Sequence, residues 1–222
     1  MTDAQDTTET RTRGHRMARA ERRSQLLAIA LDLFASEGFH HVSMDDIADR
    51  AQVSKPVLYR HFPSKLDLYL AVVDEQSADL LAAVERAVAP LEVGPLPRGE
   101  GKVVVAAVVE AYLAFVQVAG ESSTLLFESD VTHDAEVRAR VEHASGEVRR
   151  RIAEVLVGVV GRERPDTDVL AAALVAAAQG AATYWLRHGD KACTEHVVAL
   201  VTDLQWRGVA GLIRADYPYE DA

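Results

Sequence analysis

Between Lys55 and Lys65 the chain sets Lys55, Val57, Tyr59, Arg60, His61 and Lys65 along one short stretch, with Leu58 and Phe62 one helical turn apart among them. Side chains of these types suit a nucleic acid. A lysine reaches guanine O6 and N7 or a phosphate, a valine meets a thymine methyl, and a phenol, an imidazole or a second lysine takes backbone phosphates. On this pattern Lys55 is expected at guanine acceptors or a phosphate, Val57 at a thymine methyl, and Tyr59, His61 and Lys65 at phosphates, while Leu58 and Phe62 anchor the segment to a core. The full set of candidate DNA contacts is Ser43, Met44, Ser54, Lys55, Pro56, Val57, Tyr59, Arg60, His61 and Lys65. The same residue types also fit the solvated face of an ordinary helical hairpin, and a lone helix-turn-helix pattern leaves both readings open.

Other chemistries find less to work with. Gly158-Val-Val-Gly161 follows a helical pattern and not a strand, so it makes a poor dinucleotide site, and no serine lies in a nucleophile elbow. His133 and His143 have no third ligand spaced to hold a metal, and Cys193-x-x-His196 lacks partners at metal-ligand spacing. Glu128 and Asp130 read as the entry to a helix rather than an acid/base pair. No catalytic residue, metal or cofactor is expected, and the chain does not read as an enzyme. Its one cysteine excludes an internal disulfide and agrees with a reducing cytoplasm.

The elements that must position the basic stretch are punctuated clearly. Ser43 with Asp46 three residues on makes a capping box, so a helix starts near Met44, with Met44, Ile47, Ala48 and Ala51 on its inner face. Gln52-Val53 turns the chain, Ser54 caps again, and Pro56 sits in the first turn of a helix from Lys55 to His61, where its missing amide costs nothing. Pro63 ends that helix by disfavouring helical geometry at Phe62, and Ser64 caps the next. Two short helices joined by so tight a turn form a helix-turn-helix, whose second member can enter a major groove.

The formal net charge of -10 is unevenly spread: residues 1–65 hold 10 Lys+Arg against 9 Asp+Glu, and residues 66–222 hold 14 against 25. Arginines 11, 13, 16, 19, 22 and 23 face a single acid, Glu21. A local positive face on an acidic body is what phosphate binding requires. Residues 1–17 are expected to be a disordered polar arm, in which Arg11 to Arg16 follow phosphates or enter a minor groove, while the residues before Arg13 read equally well as an exposed tail with no role. A helix from about Ala18 to Glu37, stopped by Gly38, should underlie the helix-turn-helix.

The rest of the chain reads as all-α. Helices are expected at about Ser64–Ala89, Lys102–Ala119, Ser122–Glu128, Asp134–Val160, Thr167–Arg187 and Thr194–Ile213, with a Pro- and Gly-rich loop at Pro90–Gly101. This divides the chain into an arm (1–17), a helix-turn-helix domain (18–63), a larger helical domain (64–215) and a tail (216–222). No apolar run is expected to span a bilayer and no signal peptide is indicated, so the expected location is the cytoplasm with no membrane partner. Val108, Tyr112 and Phe115 belong to a broad apolar face that either fills a core or walls a cavity.

Residues 19–74, through FASEGF, SMDDIA, VSKPVLYRHF and SKLDL, resemble the N-terminal domain of TetR-type transcriptional regulators. Gln52 departs from that pattern, which has glycine there. The resemblance implies a homodimer on a near-palindromic operator, with the last two long helices forming a four-helix bundle across the interface; Ala173, Ala177, Ala181, Trp185, Val201 and Leu204 are the candidates for it. It further implies a small-molecule effector. Residues 53–72, 125–137 and 184–186 are similar to a narrower actinobacterial group controlling fatty-acid synthesis in response to long-chain acyl-CoA, in which the position of Phe127 lines an acyl tunnel. Val108, Tyr112, Phe115, Phe127 and Tyr184 are therefore the candidate ligand residues. The same scaffold answering to another hydrophobic compound, controlling an efflux or secondary-metabolism gene, remains the alternative, and a helical interaction protein without DNA binding a remoter one.

Overall fold

The computed structural model describes residues 6–92, 101–127, 135–188 and 193–209, with backbone alone at 6–18, 91–92, 159 and 209. The expected helix entry at Glu128 and Asp130, the residue His133, most of the Pro/Gly loop, the end of the last helix beyond 209 and the C-terminal tail lie outside them. Among the described residues there is no strand, and the chain is all-α.

The helices are α1 (Asp6–Glu37), α2 (Met44–Arg50), α3 (Lys55–His61), α4 (Lys65–Val88), α5 (Gly101–Ala119), α6 (Thr124–Phe127), α7 (Ala135–Val160), α8 (Arg164–His188) and α9 (Thr194–Val209), with short 3-10 turns at Ala89–Glu92 and Gly120–Ser123. The first helix begins at Asp6, where a disordered arm was expected. Its Thr-, Glu- and Arg-rich sequence has no proline, and the one glycine, Gly14, costs a helix only about 1 kcal/mol. α8 starts three residues before the expected Thr167 because Pro165 fits a first turn and the Glu163 carbonyl accepts from Asp166 and Thr167 N–H.

The chain divides into two compact units, Met1–Val72 and Val73–Ala222, so the boundary lies within α4 and not before it at residue 64. The reason is the packing of α4's first turns. Leu68, Tyr69, Leu70 and Val72 are buried, and the Tyr69 ring meets Phe34 edge-on at 5.3 Å and Phe39 at 4.9 Å. These residues complete the core built by Leu26, Ala30, Phe34, Val42, Ile47, Leu58 and Phe62.

The second unit is a helical assembly in which α7 packs on α8, α5 on α8 and α9, and α8 on α9. Two segments, Gly101–Phe127 and Arg164–His188, are long and apolar enough to cross a membrane, contrary to the sequence expectation; isolated charges such as Lys102 and Glu110 do not offset so many Val, Leu and Ala side chains. In the first, 56% of the most apolar window is buried, as in the core helix of a globule; in the second only 28% is. α8 leaves Val169, Ala173, Ala177 and Tyr184 outside, and α9 leaves Leu200 and Leu204 outside.

Candidate functional site

The helix-turn-helix is assembled by short polar circuits. Ser43 Oγ accepts from Asp46 N–H at 3.1 Å, and Asp46 Oδ2 accepts from the Ser43 amide at 2.8 Å and hydroxyl at 2.6 Å, closing the capping box. Those bonds hold the Asp46 carboxyl below the ordinary aspartate range, the hydroxyl contributing most. At the far end of α2 the Val53 amide donates to Ala48 O and the Gln52 amide to Asp49 O, a Schellman closure with Gln52 at φ 55. The sequence departure at Gln52 thus falls on the one left-handed non-glycine residue described.

Ser54 precedes α3 with extended backbone, and its carbonyl accepts from Val57 and Leu58 N–H. Its hydroxyl makes no capping bond, which corrects the expected side-chain cap; Pro56 in the first turn has no N–H to offer, so the backbone acceptor and proline suffice to start the helix. The exposed Ser54 hydroxyl stays available to a ligand. Leu58 and Phe62 are buried as expected, and Lys55, Pro56, Tyr59 and Arg60 are exposed, with Val57 and His61 half-buried. Phe62 takes extended geometry before Pro63, and Ser64 Oγ accepts from Asp67 N–H at 3.0 Å to cap α4.

Two expected DNA contacts are corrected. Met44 is buried, 7% exposed, because its side chain fills the space under α2, so it cannot meet a base. Lys65 does not project toward solvent phosphates: its ammonium donates to Phe39 O at 2.8 Å and Val42 O at 2.9 Å and lies 4.3 Å from the Phe39 ring centre. Half-buried, it ties the start of α4 to the connection between α1 and α2. Ser43 is exposed, but its hydroxyl and amide both serve the capping box.

Sequence reasoning left Arg19, Arg22 and Arg23 in a general basic run and out of the site. In the structure Arg19, Ala20 and Arg23 line a cleft of about 400 Å³ with His61 at the end of α3, and Arg23 lies over the Phe62 ring at 4.4 Å. Burial, then Arg60, Arg19, Arg23 and Arg22 in that order, push the His61 imidazole below its ordinary value. Cations from α1 and α3 thus converge on one small surface, the electrostatic form of a phosphate site. Helical periodicity in Arg19-x-x-Arg22-Arg23 was the signal for it. Across the turn, Lys55 Nζ donates to Asp45 Oδ2 at 2.7 Å.

In the second unit, Phe127 stacks on Tyr112, 6.0 Å between centres, and meets Phe115 edge-on at 5.9 Å. Val108, one turn from Tyr112, is fully buried, and burial raises the Tyr112 phenol well above its usual range. Phe127 also borders a groove of about 370 Å³ along α8, lined by Gln179, Gly180, Thr183, Tyr184 and His188 among others. The groove brings Phe127 and Tyr184 together, while Tyr112 and Phe115 back Phe127 from the core. Tyr184 is 67% exposed and stacks on His188 at 4.4 Å. Of the interface candidates, Ala173, Ala177 and Leu204 are exposed and Ala181, Trp185 and Val201 half-buried.

Residues 26–72 match the model of bacterial regulatory proteins of the tetR family. The HTH-type transcriptional activator FasR of Mycolicibacterium smegmatis is 34% identical over 198 residues, 89% of this chain and 87% of that protein. The regulator EthR of the same organism is 40% identical over 70 residues, 30% of this chain and 32% of its own length. Among solved structures, a TetR-like transcriptional regulator from Rhodococcus sp. RHA1 is similar with TM-score 0.66 and 27% identity, covering 86% of this chain and 96% of that one. FadR from Bacillus subtilis in complex with stearoyl-CoA shares the fold, with TM-score 0.68 and 17% identity over 85% of this chain and 98% of that one.

Proposed function

Because this chain belongs to the tetR family of bacterial transcriptional regulators, which are not enzymes, we propose that it acts in the cytoplasm as a homodimer on a near-palindromic DNA operator, with its affinity set by a long-chain acyl-CoA. The observation that carries the DNA half is the convergence of Arg19, Arg22, Arg23, Arg60 and His61 at the C-terminal end of α3, with Tyr59 exposed one turn or less away and Ser54 and Lys55 exposed at the N-terminal end of the same helix. Phosphates take the arginine cluster and Tyr59, and the exposed N-terminal side chains of α3 take base edges.

A seven-residue helix reads few base pairs. Two copies about 34–36 Å apart would double the contact and impose palindromy. The exposed apolar side chains of α8 and α9, with Leu200 62% and Leu204 73% exposed, are what supports dimerisation. Small Ala173, Ala177 and Gly180 allow a partner helix to approach closely. The effector half rests on the Phe127–Tyr112–Phe115 aromatic wall and on the similarity to FasR, with a fold shared by FadR, whose structure holds stearoyl-CoA.

Selection of bound sequences from a random duplex pool, followed by titration of stearoyl-CoA into the selected complex, tests both halves. The expected result is a two-fold symmetric site and an operator affinity that changes with acyl-CoA, a response reduced in Phe127→Trp at unchanged DNA affinity without ligand. Selection of no sequence overturns the DNA reading. An acyl-CoA titration without effect removes that effector and leaves a regulator answering to another hydrophobic compound.

A further inference from the structure

We propose that Asp45 is a specificity-determining residue of the DNA-reading surface: it holds the Lys55 ammonium away from the phosphates and reserves it for a base edge. This rests on the DNA-binding reading above. Lys55 Nζ meets Asp45 Oδ2 at 2.7 Å, and the pair bridges the helix-turn-helix itself, from the first turn of α2 to the first residue of α3. The lysine side chain is 62% exposed and the aspartate 55%, so burial does not force them together.

Stability does not account for the pair. An exposed ion pair contributes little to a fold. α2 is already capped by Ser43 and Asp46, whose circuit does not include Asp45. An acid in the first turn favours the helix dipole, but Asp46 supplies that charge at the next position. On a surface that must approach phosphate, Asp45 is a liability to affinity. A compensating gain in discrimination is the physical reason for a DNA-binding chain to carry it.

The geometry supplies that gain. A free lysine is a compact charge on a flexible four-carbon stem and reaches any nearby phosphate. Bonded to Asp45, Lys55 keeps its proton more firmly, through the hydrogen bond first and the Asp45 charge second, with a smaller contribution from Asp49. An ammonium has three donors; one goes to Asp45 and the other two remain for guanine O6 and N7 from a fixed position. The carboxylate meanwhile repels phosphate oxygens, so a duplex lacking the right base loses the contact and keeps the repulsion.

The test compares the duplex selected above with a scrambled duplex of equal length, by fluorescence anisotropy at several salt concentrations. Asp45→Asn should raise affinity for the scrambled duplex while operator affinity holds or falls, cutting their ratio about tenfold. Asp49→Asn removes an equal charge without the bond and should raise both affinities alike, leaving the ratio. Lys55→Met should weaken the operator with little effect on the scrambled duplex, and in its background Asp45→Asn should no longer alter the ratio. Equal gains on both duplexes in Asp45→Asn, or an equal loss on both in Lys55→Met, overturn the proposal and leave DNA binding in place. Failure of the unaltered chain to bind any duplex overturns both together. Far-UV circular dichroism checks that each variant is folded, and if Asp45→Asn is not, Asp45→Ser takes its place with the same expected and overturning outcomes.

Discussion

In the N-terminal unit the side chains of Ser43, Asp46, Ser64, Asp67 and Lys65 all end on partners within hydrogen-bonding distance. The C-terminal unit buries Gln76 Oε1, Thr202 Oγ1 and Gln205 Oε1 without one. The difference follows from helix length. α2 and α3 have seven residues each and little apolar surface, so hydrogen bonds to caps and carbonyls must fix their ends. α5, α7 and α8 run for 19, 26 and 25 residues and bury broad apolar faces, enough to offset a few unpartnered oxygens at about 1–3 kcal/mol each. The N-terminal head is thus held in register by directional bonds, and the C-terminal body by packing, which tolerates adjustment.

Lys65→Met should have the largest effect on that contrast. It leaves the Phe39 and Val42 carbonyls without their ammonium while preserving most of the stem, and should cost about 2 kcal/mol of stability in urea denaturation followed by circular dichroism. Under conditions where the variant is folded, the slope of operator affinity against salt should equal that of the unaltered chain, because the ammonium is not on a phosphate. A slope reduced by about one, with stability intact, would return Lys65 to the DNA surface and break the comparison.

The head was legible in the sequence because its instructions are local. Ser43 with Asp46, Pro56, Pro63 and Ser64 each act within four residues, and the structure has those helices where they were expected. Lys65 was misplaced for the opposite reason: its acceptors lie 23 and 26 residues away, and only the tertiary fold brings them near. Met44 was assigned to two roles by one spacing, and burial selects the core. Phe127 against Tyr112 and Phe115 is also a long-range meeting, and periodicity in α5 shows a face without showing what covers it. The stop of the N-terminal unit at Val72 depends on Tyr69 reaching Phe34, which no boundary residue announces.

Thr202→Val probes the other side of the contrast. The substitution keeps the branched shape at a residue only 2% exposed and removes a hydroxyl with no partner. It should stabilise the C-terminal unit by about 1 kcal/mol. Both tryptophans, Trp185 and Trp206, lie in this unit, so the denaturation midpoint of tryptophan emission reports it. A loss of stability would mean that the hydroxyl is satisfied after all and that the body obeys the rule of the head.

Gln52→Gly should have the smallest effect and gives the sharpest view of the head. Gln52 holds φ 55 at the position after α2 where the Schellman bonds close, and a side chain there costs on the order of 1 kcal/mol that glycine does not. Glycine in turn frees the unfolded chain, which returns part of the gain. The net expectation is stabilisation by about 0.5 kcal/mol, read from the denaturation midpoint by circular dichroism. Because the Ala48 and Asp49 carbonyls keep the same amide partners, the path from α2 to α3 is retained and the selected duplex should be bound as before. A stable variant that prefers a different duplex would show that strain at Gln52 sets the angle at which α3 is presented, and would place part of the head's specificity in its turn.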